Sequence, residues 1–556
     1  MTMARRGRSS AHVARVAGHR LAAVTVRRRK HWGWGYEDQQ ATPAQIRASL
    51  STLGEQLGMS LGEVEEPLAL ADVRLAPPRI AVPAALAEIA STETHDRASH
   101  SLGKSYSDVV RGFRGQFEHP PDLVLRPREE SDVERVLEWC AAEGVAAIPY
   151  GGGTSVVGGV TPDVGAAFNG VVSLDIRALD RVLEVDEVSR SARIQAGALG
   201  PSLEAQLAER ELTLRHFPQS FEYSTLGGWI ATRAAGHFAT VWTHIDDLVE
   251  SVRAITPVGA WQSRRLPGSG AGVSPDRMLT GSEGILGVIT EAWVRVQPRP
   301  SHRAATGVTF ATFAAGVQCV RAISQSGLHP SNCRLLDAGE AGLTLAGDGS
   351  RAVLVLGFES TDHPVEEAMA RALALCAAHG GEASAGGGTG SGGGDAVSSW
   401  RGAFLGAPYV RDLLVAVGVL GETFETAITW ERFDGFHERV MAAAEQAVRE
   451  VCAAEGKVFC RFTHVYPNGP APYFTVLAPA RRGEEVEQWA AIKRAVSDAI
   501  IEGGGTITHH HAVGRDHRPW YDRQRPEPFA TALGGAKAAV DPAGIMNPGV
   551  LIGGRA

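Results

Sequence analysis

The sequence has few cysteines and no hydrophobic run long enough to cross a membrane. Its six cysteines are scattered over 556 residues, and no two form a Cys-x-x-Cys pair. This spacing is typical of free thiols in a reducing compartment, and it predicts neither disulfide bonds nor a zinc site. No apolar run approaches the roughly 20 residues that a transmembrane helix requires. We therefore expect a cytoplasmic protein without a membrane-spanning helix.

The sequence also lacks an excess of positive charge over most of its length. Its 62 acidic residues outnumber its 54 lysines and arginines, which gives a formal net charge of −8. Because a nucleic-acid-binding protein needs a basic face to neutralise phosphates, nucleic acid is not an expected partner. A chain of 556 residues is too long for one hydrophobic core, so two or three domains are expected.

Acidic residues are missing from the start of the chain, where basic residues are concentrated. Nine lysines and arginines lie within residues 1–30, and the first acidic residue is Glu37. A disordered tail is the simplest interpretation of this basic arm. A membrane-surface arm attracted to anionic lipid and a transit peptide are the alternatives, although no cleavage signal is visible. If the protein contacts a membrane peripherally, we expect the basic arm to make that contact.

Glycine is abundant, and one glycine-rich loop is the first candidate for function. Residues 148–159 read Ile-Pro-Tyr-Gly-Gly-Gly-Thr-Ser-Val-Val-Gly-Gly and follow an apolar run that predicts a buried strand. Consecutive glycines let backbone N–H groups approach a pyrophosphate, and Thr154 and Ser155 add hydroxyl donors. The loop matches neither the Lys-Ser/Thr ending of a nucleoside triphosphatase loop nor Gly-x-Gly-x-x-Gly. Taken alone, the triple glycine is equally compatible with a surface turn.

Two further segments are typical of ligand-lining loops. Residues 215–236 combine polar residues and glycines without a clean period, a pattern that an irregular surface loop would also show. Residues 281–287 read Gly-Ser-Glu-Gly-Ile-Leu-Gly and precede a predicted strand at 288–296. Three glycine-rich turns in one domain suggest an extended ligand that is contacted at several points.

Three adjacent histidines near the end of the chain are the remaining candidates. His509, His510 and His511 follow a glycine run in a segment, 503–514, that predicts a short strand. Strand alternation would send His509 and His511 to one face and His510 to the other. Because no other ligand cluster accompanies them, we expect no metal. Acid–base or hydrogen-bonding work in a site and simple solvent exposure both stay open.

Together these motifs resemble those of the alkyldihydroxyacetonephosphate synthase (alkylglycerone-phosphate synthase) family of the vanillyl-alcohol oxidase / p-cresol methylhydroxylase flavoprotein superfamily. The likeness runs collinearly from about residue 32 to the end of the chain. The motifs that carry it are Pro149-Tyr-Gly-Gly-Gly-Thr-Ser155, Ser224-Thr-Leu-Gly-Gly-Trp-Ile-Ala-Thr-Arg-Ala234, Gly281-Ser-Glu-Gly-Ile-Leu-Gly287, Phe424-Glu-Thr426 and His509-His-His511.

The resemblance implies an α+β fold with a p-cresol methylhydroxylase-type FAD-binding domain. On the pattern of predicted elements, residues 31–117 form a helical lead-in, 118–300 the FAD-binding domain, and 301–500 a second α+β substrate or cap domain. The family pattern then brings residues 501–556 back to the flavin site. Within the cap, the glycine-rich run 386–394 predicts a flexible loop rather than a second phosphate cradle.

The resemblance also implies FAD as the cofactor, bound without a covalent tether. Some members of the superfamily attach flavin through a histidine in or near the glycine loop, or through a cysteine further on, and this loop has no histidine. The positions expected to contact FAD lie in the three glycine-rich segments. They are Pro149, Tyr150, Gly151, Gly152, Gly153, Thr154, Ser155, Gln219, Ser220, Ser224, Thr225, Gly228, Thr232, Arg233, Ala235, Gly281, Ser282, Glu283, Gly284 and Gly287.

By the same correspondence, Arg411 is the substrate-binding arginine and Arg334 the activity-critical one. Tyr473 is the acid–base tyrosine, and His216 joins the three C-terminal histidines on the working side of the flavin. Two guanidiniums can bind an anionic substrate and a leaving carboxylate, whereas a phenol and imidazoles can move protons. The implied reaction exchanges the acyl chain of acyl-dihydroxyacetone phosphate for a long-chain alcohol in ether lipid synthesis, without net redox change. The implied partners are a lipid-like small-molecule substrate and a second copy of the chain.

Two departures from the family's sequence pattern keep an alternative reaction open. Residues 237–244 contain no lysine where the family has a basic stretch, and the loop near 338–350 is shorter than in the family. The alternative is an FAD-linked oxidase or dehydrogenase of a 2-hydroxy acid such as D-lactate or glycolate. Those relatives show Gly-Glu-His where this chain has three histidines, which favours the synthase reaction. The ending Asn547-Pro548-Gly549 favours the redox reaction.

Overall fold

The computed structural model describes residues 27–59, 61–383 and 396–553 of the chain. The flexible loop predicted at 386–394 and most of the basic arm predicted at 1–30 lie outside the described residues. None of the described helices is both long and apolar enough to cross a membrane.

The last four residues of the predicted arm are described, and they pack on the protein body. Arg29 Nη1 donates to the carbonyl oxygen of Gly152 at 2.8 Å, and Lys30 Nζ lies 3.2 Å from Asp412 Oδ2. The prediction of a disordered arm is therefore wrong for residues 27–30, because these contacts fix their side chains to two different parts of the fold.

Short helices dominate the lead-in to the first domain. The first helix begins at Pro43, where Thr42 Oγ1 accepts a hydrogen bond from the Gln45 N–H, and a left-handed Gly58 ends it. The elements of this segment are α1 (Pro43–Leu57), β1 (Ala90–Ser91), α2 (Thr94–Ser99) and α3 (Tyr106–Phe113), with 3-10 turns at Glu37–Gln39, Leu70–Asp72 and Ala84–Ile89.

A small sheet of three parallel strands and one antiparallel edge strand positions the glycine loop. Its elements are β2 (Leu123–Leu125), α4 (Glu130–Glu143), β3 (Val145–Tyr150) and β4 (Gly170–Asp175), and the strand order is β1-β2-β4-β3. Every residue of β2 and β4 is buried, as expected for parallel strands that are covered on both faces. Gly144 ends α4 with a φ of 63°, and β3 then runs directly into the glycine loop.

A second, antiparallel sheet completes the predicted FAD-binding domain. Its five strands have the order β5-β6-β10-β8-β9. The elements of this part are β5 (Val182–Asp186), β6 (Ser191–Gln195), α5 (Gly200–Ala208), β7 (Leu212–Thr213), α6 (Leu226–Thr232), β8 (Val249–Thr256), β9 (Gly259–Gln262), α7 (Pro275–Leu279), β10 (Val288–Arg295) and β11 (Gln297–Pro298). Helix α6 lies inside 215–236, which is therefore not wholly a loop.

The cap domain contains a seven-stranded antiparallel sheet with the order β15-β12-β14-β13-β17-β18-β16. Its elements are β12 (His302–Phe310), α8 (Phe313–Gln325), β13 (Asn332–Leu336), α9 (Ala338–Leu343), β14 (Ala352–Ser360), α10 (Glu366–Ala378), β15 (Glu382–Ala383), α11 (Ala396–Ala416), β16 (Val419–Glu425), α12 (Trp430–Cys452), β17 (Lys457–Tyr466), β18 (Gly469–Pro479) and α13 (Glu485–Glu502). A hydrophobic core that includes Phe436, Val440 and Ile492 lies between the sheet and α12 and α13. The opposite face, which carries Arg334 and Tyr473, meets the cavity described below.

The C-terminal segment returns to the first domain through α14 (Arg518–Gln524) and α15 (Glu527–Val540). Met546 forms a parallel bridge with Ala147 of β3, and Asn547 Nδ2 donates to the carbonyl oxygen of Gly159 at 3.1 Å. Before α14, residues 503–514 contain no strand, so the strand predicted around the three histidines is wrong.

Candidate active site

One cavity of about 710 Å³ connects the glycine-rich turns to the cap sheet. The first domain contributes most of the predicted FAD-contacting residues to its wall. The cap contributes charged and aromatic side chains, and the C-terminal segment contributes His510 and His511. The wall therefore brings together residues that are more than 300 positions apart in the sequence.

The glycine loop has the geometry of an anion cradle. Gly153 has a φ of 67°, and a Cβ on Gly152 would overlap the carbonyl oxygen of Tyr223. Within the described part of the chain, the backbone N–H groups of Gly151, Gly152, Gly153 and Thr154 have no hydrogen-bond acceptor. N–H groups without a protein acceptor at the edge of a cavity fit the pyrophosphate of FAD, because they are donors that a bound anion can satisfy.

The other two glycine-rich segments extend the wall away from this loop. Thr225 caps α6 by accepting from the Gly228 N–H at 3.2 Å, and both residues line the cavity. In the third turn, the Glu283 carboxylate accepts from the N–H groups of Val513 and Gly514 at 2.9 and 2.7 Å. Burial raises the pKa of Glu283 to about 7. The third turn is thus fastened to the segment that carries the histidines.

Three of the predicted FAD contacts do not line the cavity. Arg233 is the left-handed residue after α6, and its 60%-exposed side chain pairs with Asp246 at 2.7 Å. Gly281 and Ser282 precede the part of the third turn that reaches the wall, which begins at Glu283. The other seventeen predicted residues all line the cavity.

A buried carboxylate shapes the histidine segment. Glu425 at the end of β16 accepts hydrogen bonds from the backbone N–H groups of His509, His510 and His511 at 2.6, 3.0 and 2.9 Å. Three consecutive N–H groups can converge on one carboxylate only if the backbone curls, which is why this segment is not a strand. Although burial opposes its ionisation, contact with His510, whose Nδ1 lies 3.2 Å from Oε2, holds the pKa of Glu425 well below its usual range.

The curled segment places the three histidines in different environments. His510 and His511 line the cavity, whereas His509 lies behind them. The His510 ring is nearly parallel to that of Tyr473, with 6.1 Å between ring centroids. Burial lowers the pKa values of His509 and His511 well below the usual range, so both are neutral at pH 7.

Arg334 is the most unusual charged residue of the wall. It lies on β13 and is 2% exposed, and its Cζ lies 4.5 and 5.5 Å from the ring centroids of Trp400 and Phe404. No carboxylate of the described residues pairs with it, and its Nε has no hydrogen-bond partner there. Burial lowers the pKa of Arg334 to about 9. A buried guanidinium in this position can bind a carboxylate or a phosphate that enters the cavity.

The second predicted arginine reaches the cavity from a cap helix. Arg411 lies on α11, and its Nη1 donates to the Lys104 carbonyl oxygen at 2.6 Å. The Lys104 N–H in turn donates to the carbonyl oxygen of Ser155 in the glycine loop, also at 2.6 Å. Arg411 is therefore held at a short distance from the loop that fits the pyrophosphate.

His216 lies outside the cavity wall. It is buried behind Gly236 and Trp229, both of which line the cavity, and its ring centroid is 5.3 Å from that of Trp229. A Cβ on Gly236 would lie 2.8 Å from its Nδ1. Burial lowers the pKa of His216 to about 3, and neither ring nitrogen has a partner among the described residues. The structure thus places His216 one layer behind the wall, not on it.

The sequence did not single out Arg461, which also lines the wall. Its Cζ lies 3.8 Å from the Tyr473 ring centroid, and its Nη1 pairs with the buried Glu340. Arg461 and Tyr473 are register partners on β17 and β18. Glu425 was missed as well, although it is the central residue of the Phe424-Glu-Thr426 motif.

Three histidine rings are close enough to raise the question of a metal. Ring nitrogens of His464, His509 and His510 lie within 4.8 Å of one another. However, both nitrogens of His509 already have partners, because Nε2 lies 2.7 Å from Tyr466 Oη and Nδ1 lies 3.1 Å from His510 Nδ1. A cation would have to replace one of these hydrogen bonds, so the absence of a metal stays a prediction.

Two family models match the chain in the order that the fold shows. The model described as FAD binding domain matches residues 121–263, and the model described as FAD linked oxidases, C-terminal domain, matches residues 299–551. The first match contains the glycine loop, and the second contains the cap residues that line the cavity. The protein is an FAD-dependent enzyme, and its two matched regions are similar to domains of FAD-linked oxidases.

Similar proteins identify the family to which the chain belongs. Alkyldihydroxyacetonephosphate synthase of Dictyostelium discoideum is 30% identical over 491 residues, which cover 82% of this chain and 77% of that protein. The synthase of Caenorhabditis elegans is 30% identical over 494 residues, which cover 83% and 81%. A solved alkyldihydroxyacetonephosphate synthase structure matches with a TM-score of 0.79 at 25% identity, covering 93% of this chain and 98% of that one. The chain belongs to the alkyldihydroxyacetonephosphate synthase family.

Two less similar proteins are relevant to the fold and to the alternative redox reaction. A p-cresol methylhydroxylase structure matches with a TM-score of 0.66 at 14% identity over 93% of this chain and 98% of that one, which confirms the predicted fold. Glycolate oxidase subunit GlcD of Bacillus subtilis is 27% identical over 452 residues, which cover 78% of this chain and 89% of that protein.

Proposed function

We propose that the enzyme exchanges the acyl chain of acyl-dihydroxyacetone phosphate for a long-chain alkyl alcohol, without net redox change, as a step of ether lipid synthesis. The observation that carries this proposal is the buried guanidinium of Arg334, which forms no ion pair with any carboxylate of the described residues. Its position between a polar wall and the aromatic rings of Trp400 and Phe404 suits a substrate with an anionic end and an apolar end. The family relatives support the same reaction.

The wall residues can divide the work of binding and proton transfer. Arg334 and Arg411 would bind the phosphate of the substrate and the carboxylate that leaves. Tyr473 and His510, whose rings stack in the wall, would take a proton from the substrate carbon and return one later. Bound FAD, held without a covalent tether by the glycine-rich turns, would supply an electron sink for the reacting carbon.

An apolar part of the cavity wall can accommodate the alkyl chains. It is formed by Leu50 of α1, Leu343 of α9, and Phe404 and Leu414 of α11. Leu345 and Val410 belong to the same wall and are exposed, so apolar surface continues from the cavity to the outside. This arrangement supports a path by which a lipid chain enters from a membrane. We further propose that the basic arm brings the enzyme to that surface; the homodimer stays a prediction.

One residue that favoured the redox alternative has a structural role. Asn547 Nδ2 donates to the carbonyl oxygens of Gly159 and Glu283 at 3.1 and 2.7 Å, and so fastens the C-terminal segment to two glycine-rich turns. Its presence is therefore explained without a hydroxy-acid substrate. Oxidation of a 2-hydroxy acid is the alternative that an experiment has to exclude.

The exchange reaction can be tested with labelled alcohol. Purified FAD-bound enzyme would be incubated with palmitoyl-dihydroxyacetone phosphate and radiolabelled hexadecanol. We expect label in an alkali-resistant product, because an ether survives conditions that cleave an ester, and one palmitate released per ether formed. The yield should not depend on an added electron acceptor. The absence of an ether product, together with reduction of an acceptor dye by D-lactate or glycolate, would replace the proposal with the redox alternative.

A further inference from the structure

A continuous line of hydrogen bonds connects the segment 243–244 to the cavity wall. It runs from His244 through Thr243, Tyr466 and His509 to His510, and we call these five residues the histidine chain. The segment 237–244 is one of the two places where the sequence departs from its family's pattern. The proposed reaction assigns no role to Thr243, His244 or Tyr466.

At the far end of the histidine chain, the donor and the acceptor of each hydrogen bond can be assigned. His244 Nε2 lies 2.9 Å from the backbone carbonyl oxygen of His509, which can only accept, so His244 must carry its proton on Nε2. Burial lowers the pKa of His244, which keeps the ring neutral and leaves Nδ1 without a proton. Thr243 Oγ1 lies 3.1 Å from this Nδ1 and therefore donates to it.

These assignments determine the donors and acceptors in the remaining hydrogen bonds, up to the cavity wall. Because the Thr243 proton is used, Thr243 accepts from Tyr466 Oη at 3.0 Å, and Tyr466 in turn accepts from His509 Nε2 at 2.7 Å. His509 is neutral, so its Nδ1 has a free lone pair that accepts from His510 Nδ1 at 3.1 Å. The same His510 nitrogen lies 3.2 Å from a Glu425 oxygen. Both contacts keep the His510 proton on Nδ1.

We propose that Tyr466 and Thr243 are positioning residues, which set the tautomer of His509 and thereby present His510 Nε2 to the cavity as a proton acceptor. The proposal rests on the proposed function, since it gives His510 a proton to accept. The proton that leaves the substrate carbon binds to Nε2, and the Nδ1 proton stays directed at Glu425 and His509. Without the Tyr466 hydroxyl, His509 Nε2 has no acceptor, and either tautomer of His509 becomes available.

Kinetics of two hydroxyl deletions test the proposal. Tyr466→Phe and Thr243→Val each remove one oxygen with little change of shape, and each should lower kcat of the exchange reaction about tenfold while KM and FAD content stay as in the wild type. Thr243→Ser, which keeps the hydroxyl, should restore most of kcat. The acidic limb of the kcat–pH profile should move to lower pH in Tyr466→Phe, because His510 loses an acceptor for its Nδ1 proton. The other groups facing His510 are Glu425, His511, His464 and Tyr473.

Nuclear magnetic resonance tests the tautomer without relying on activity. In protein labelled with 15N in its histidine rings, the His509 signals, assigned by their loss in His509→Gln, should report a proton on Nε2. Tyr466→Phe should change them to those of a tautomer mixture. Wild-type kcat and pH profile in both deletion variants, or an unchanged His509 signal in Tyr466→Phe, would overturn the inference. If the wild type forms no ether, the proposed function fails, and the His509 signals still decide the tautomer.

Discussion

Arg334 carries a charge in a place where the protein does little to compensate it. Its neighbours are aromatic rings, and the buried Arg461, which repels its charge, pairs with Glu340. An uncompensated buried charge destabilises the folded state by several kcal/mol. A bound carboxylate or phosphate would compensate this charge, so in our proposal Arg334 contributes to substrate binding at a cost in stability.

Replacing Arg334 should therefore lower the activity without lowering the stability. Arg334→Met keeps the apolar stem but removes the charge, so we expect kcat/KM for alkyl exchange to fall about 100-fold or more, which corresponds to about 3 kcal/mol. The same variant should unfold at an equal or higher temperature than the wild type, because the desolvation cost disappears. Arg494→Met, on the exposed side of α13, is the control and should change neither quantity. A large loss of thermal stability in Arg334→Met would contradict this interpretation.

The buried histidines make stability depend on pH. Burial lowers the pKa of His216 to about 3, whereas an unfolded histidine titrates near 6.5. Because the unfolded chain binds this proton first, the stability from neutral His216 is present above pH 6.5 and is lost progressively below it. His216→Gln removes this dependence. The stability of the wild type relative to this variant should fall by about 2 kcal/mol between pH 7.5 and pH 5, as measured by thermal unfolding of the FAD-bound proteins. An unchanged difference would show that His216 is not buried as a neutral ring.

At the scale of elements, the sequence predicted those features that depend only on neighbouring residues. The glycine loop follows directly from a buried strand, so an apolar run and a glycine run were enough to predict where the loop lies, which is in the cavity wall. The histidine segment could not be predicted in the same way, because its curl depends on Glu425, which is more than 80 residues away. Arg461 was missed for a similar reason. Its approach to Tyr473 depends on the pairing of β17 with β18, whose register shifts between Phe462 and His464.

The glycine loop gives an element-scale prediction. In Gly152→Ala, the new Cβ would overlap the carbonyl oxygen of Tyr223, so the loop would have to move away from the geometry that exposes its N–H groups. We expect the variant to be purified with little or no bound FAD, as measured by the ratio of absorbance at 450 nm and 280 nm. Gly268→Ala is the matched control, because a Cβ there meets no atom of the described residues within 4 Å. Full FAD content in Gly152→Ala would exclude this loop as the pyrophosphate site.

At the scale of the whole molecule, the N-terminal residues join the two domains. Arg29 donates to Gly152 in the glycine loop, whereas the Asp412 carboxylate on the cap helix α11 accepts from the Trp34 N–H at 2.9 Å and pairs with Lys30. Asp412 is adjacent to the proposed substrate arginine. The start of the described chain thus contacts both the glycine loop and α11.

This arrangement determines how the basic arm should be tested. Deleting residues 2–26 removes five of the nine early arginines and lysines but keeps Arg29 and Lys30 in place. We expect this variant to sediment less with anionic liposomes, since each basic residue near such a surface contributes about 1 kcal/mol to binding. Its FAD content and exchange activity on dispersed substrate should match those of the wild type. Neutral liposomes are the control, and unchanged sedimentation with anionic liposomes would rule out the membrane role.

The visible spectrum of the flavin under anaerobic conditions tests the central claim most directly. D-lactate, glycolate and a palmitoyl-dihydroxyacetone-phosphate analogue would be added separately to the purified enzyme. Our account predicts partial bleaching with the acyl substrate only, release of fatty acid, and return of the colour when hexadecanol is added. Full bleaching by a hydroxy acid would mean that the enzyme removes electrons from its substrate, and it would contradict the assignment of alkyl exchange.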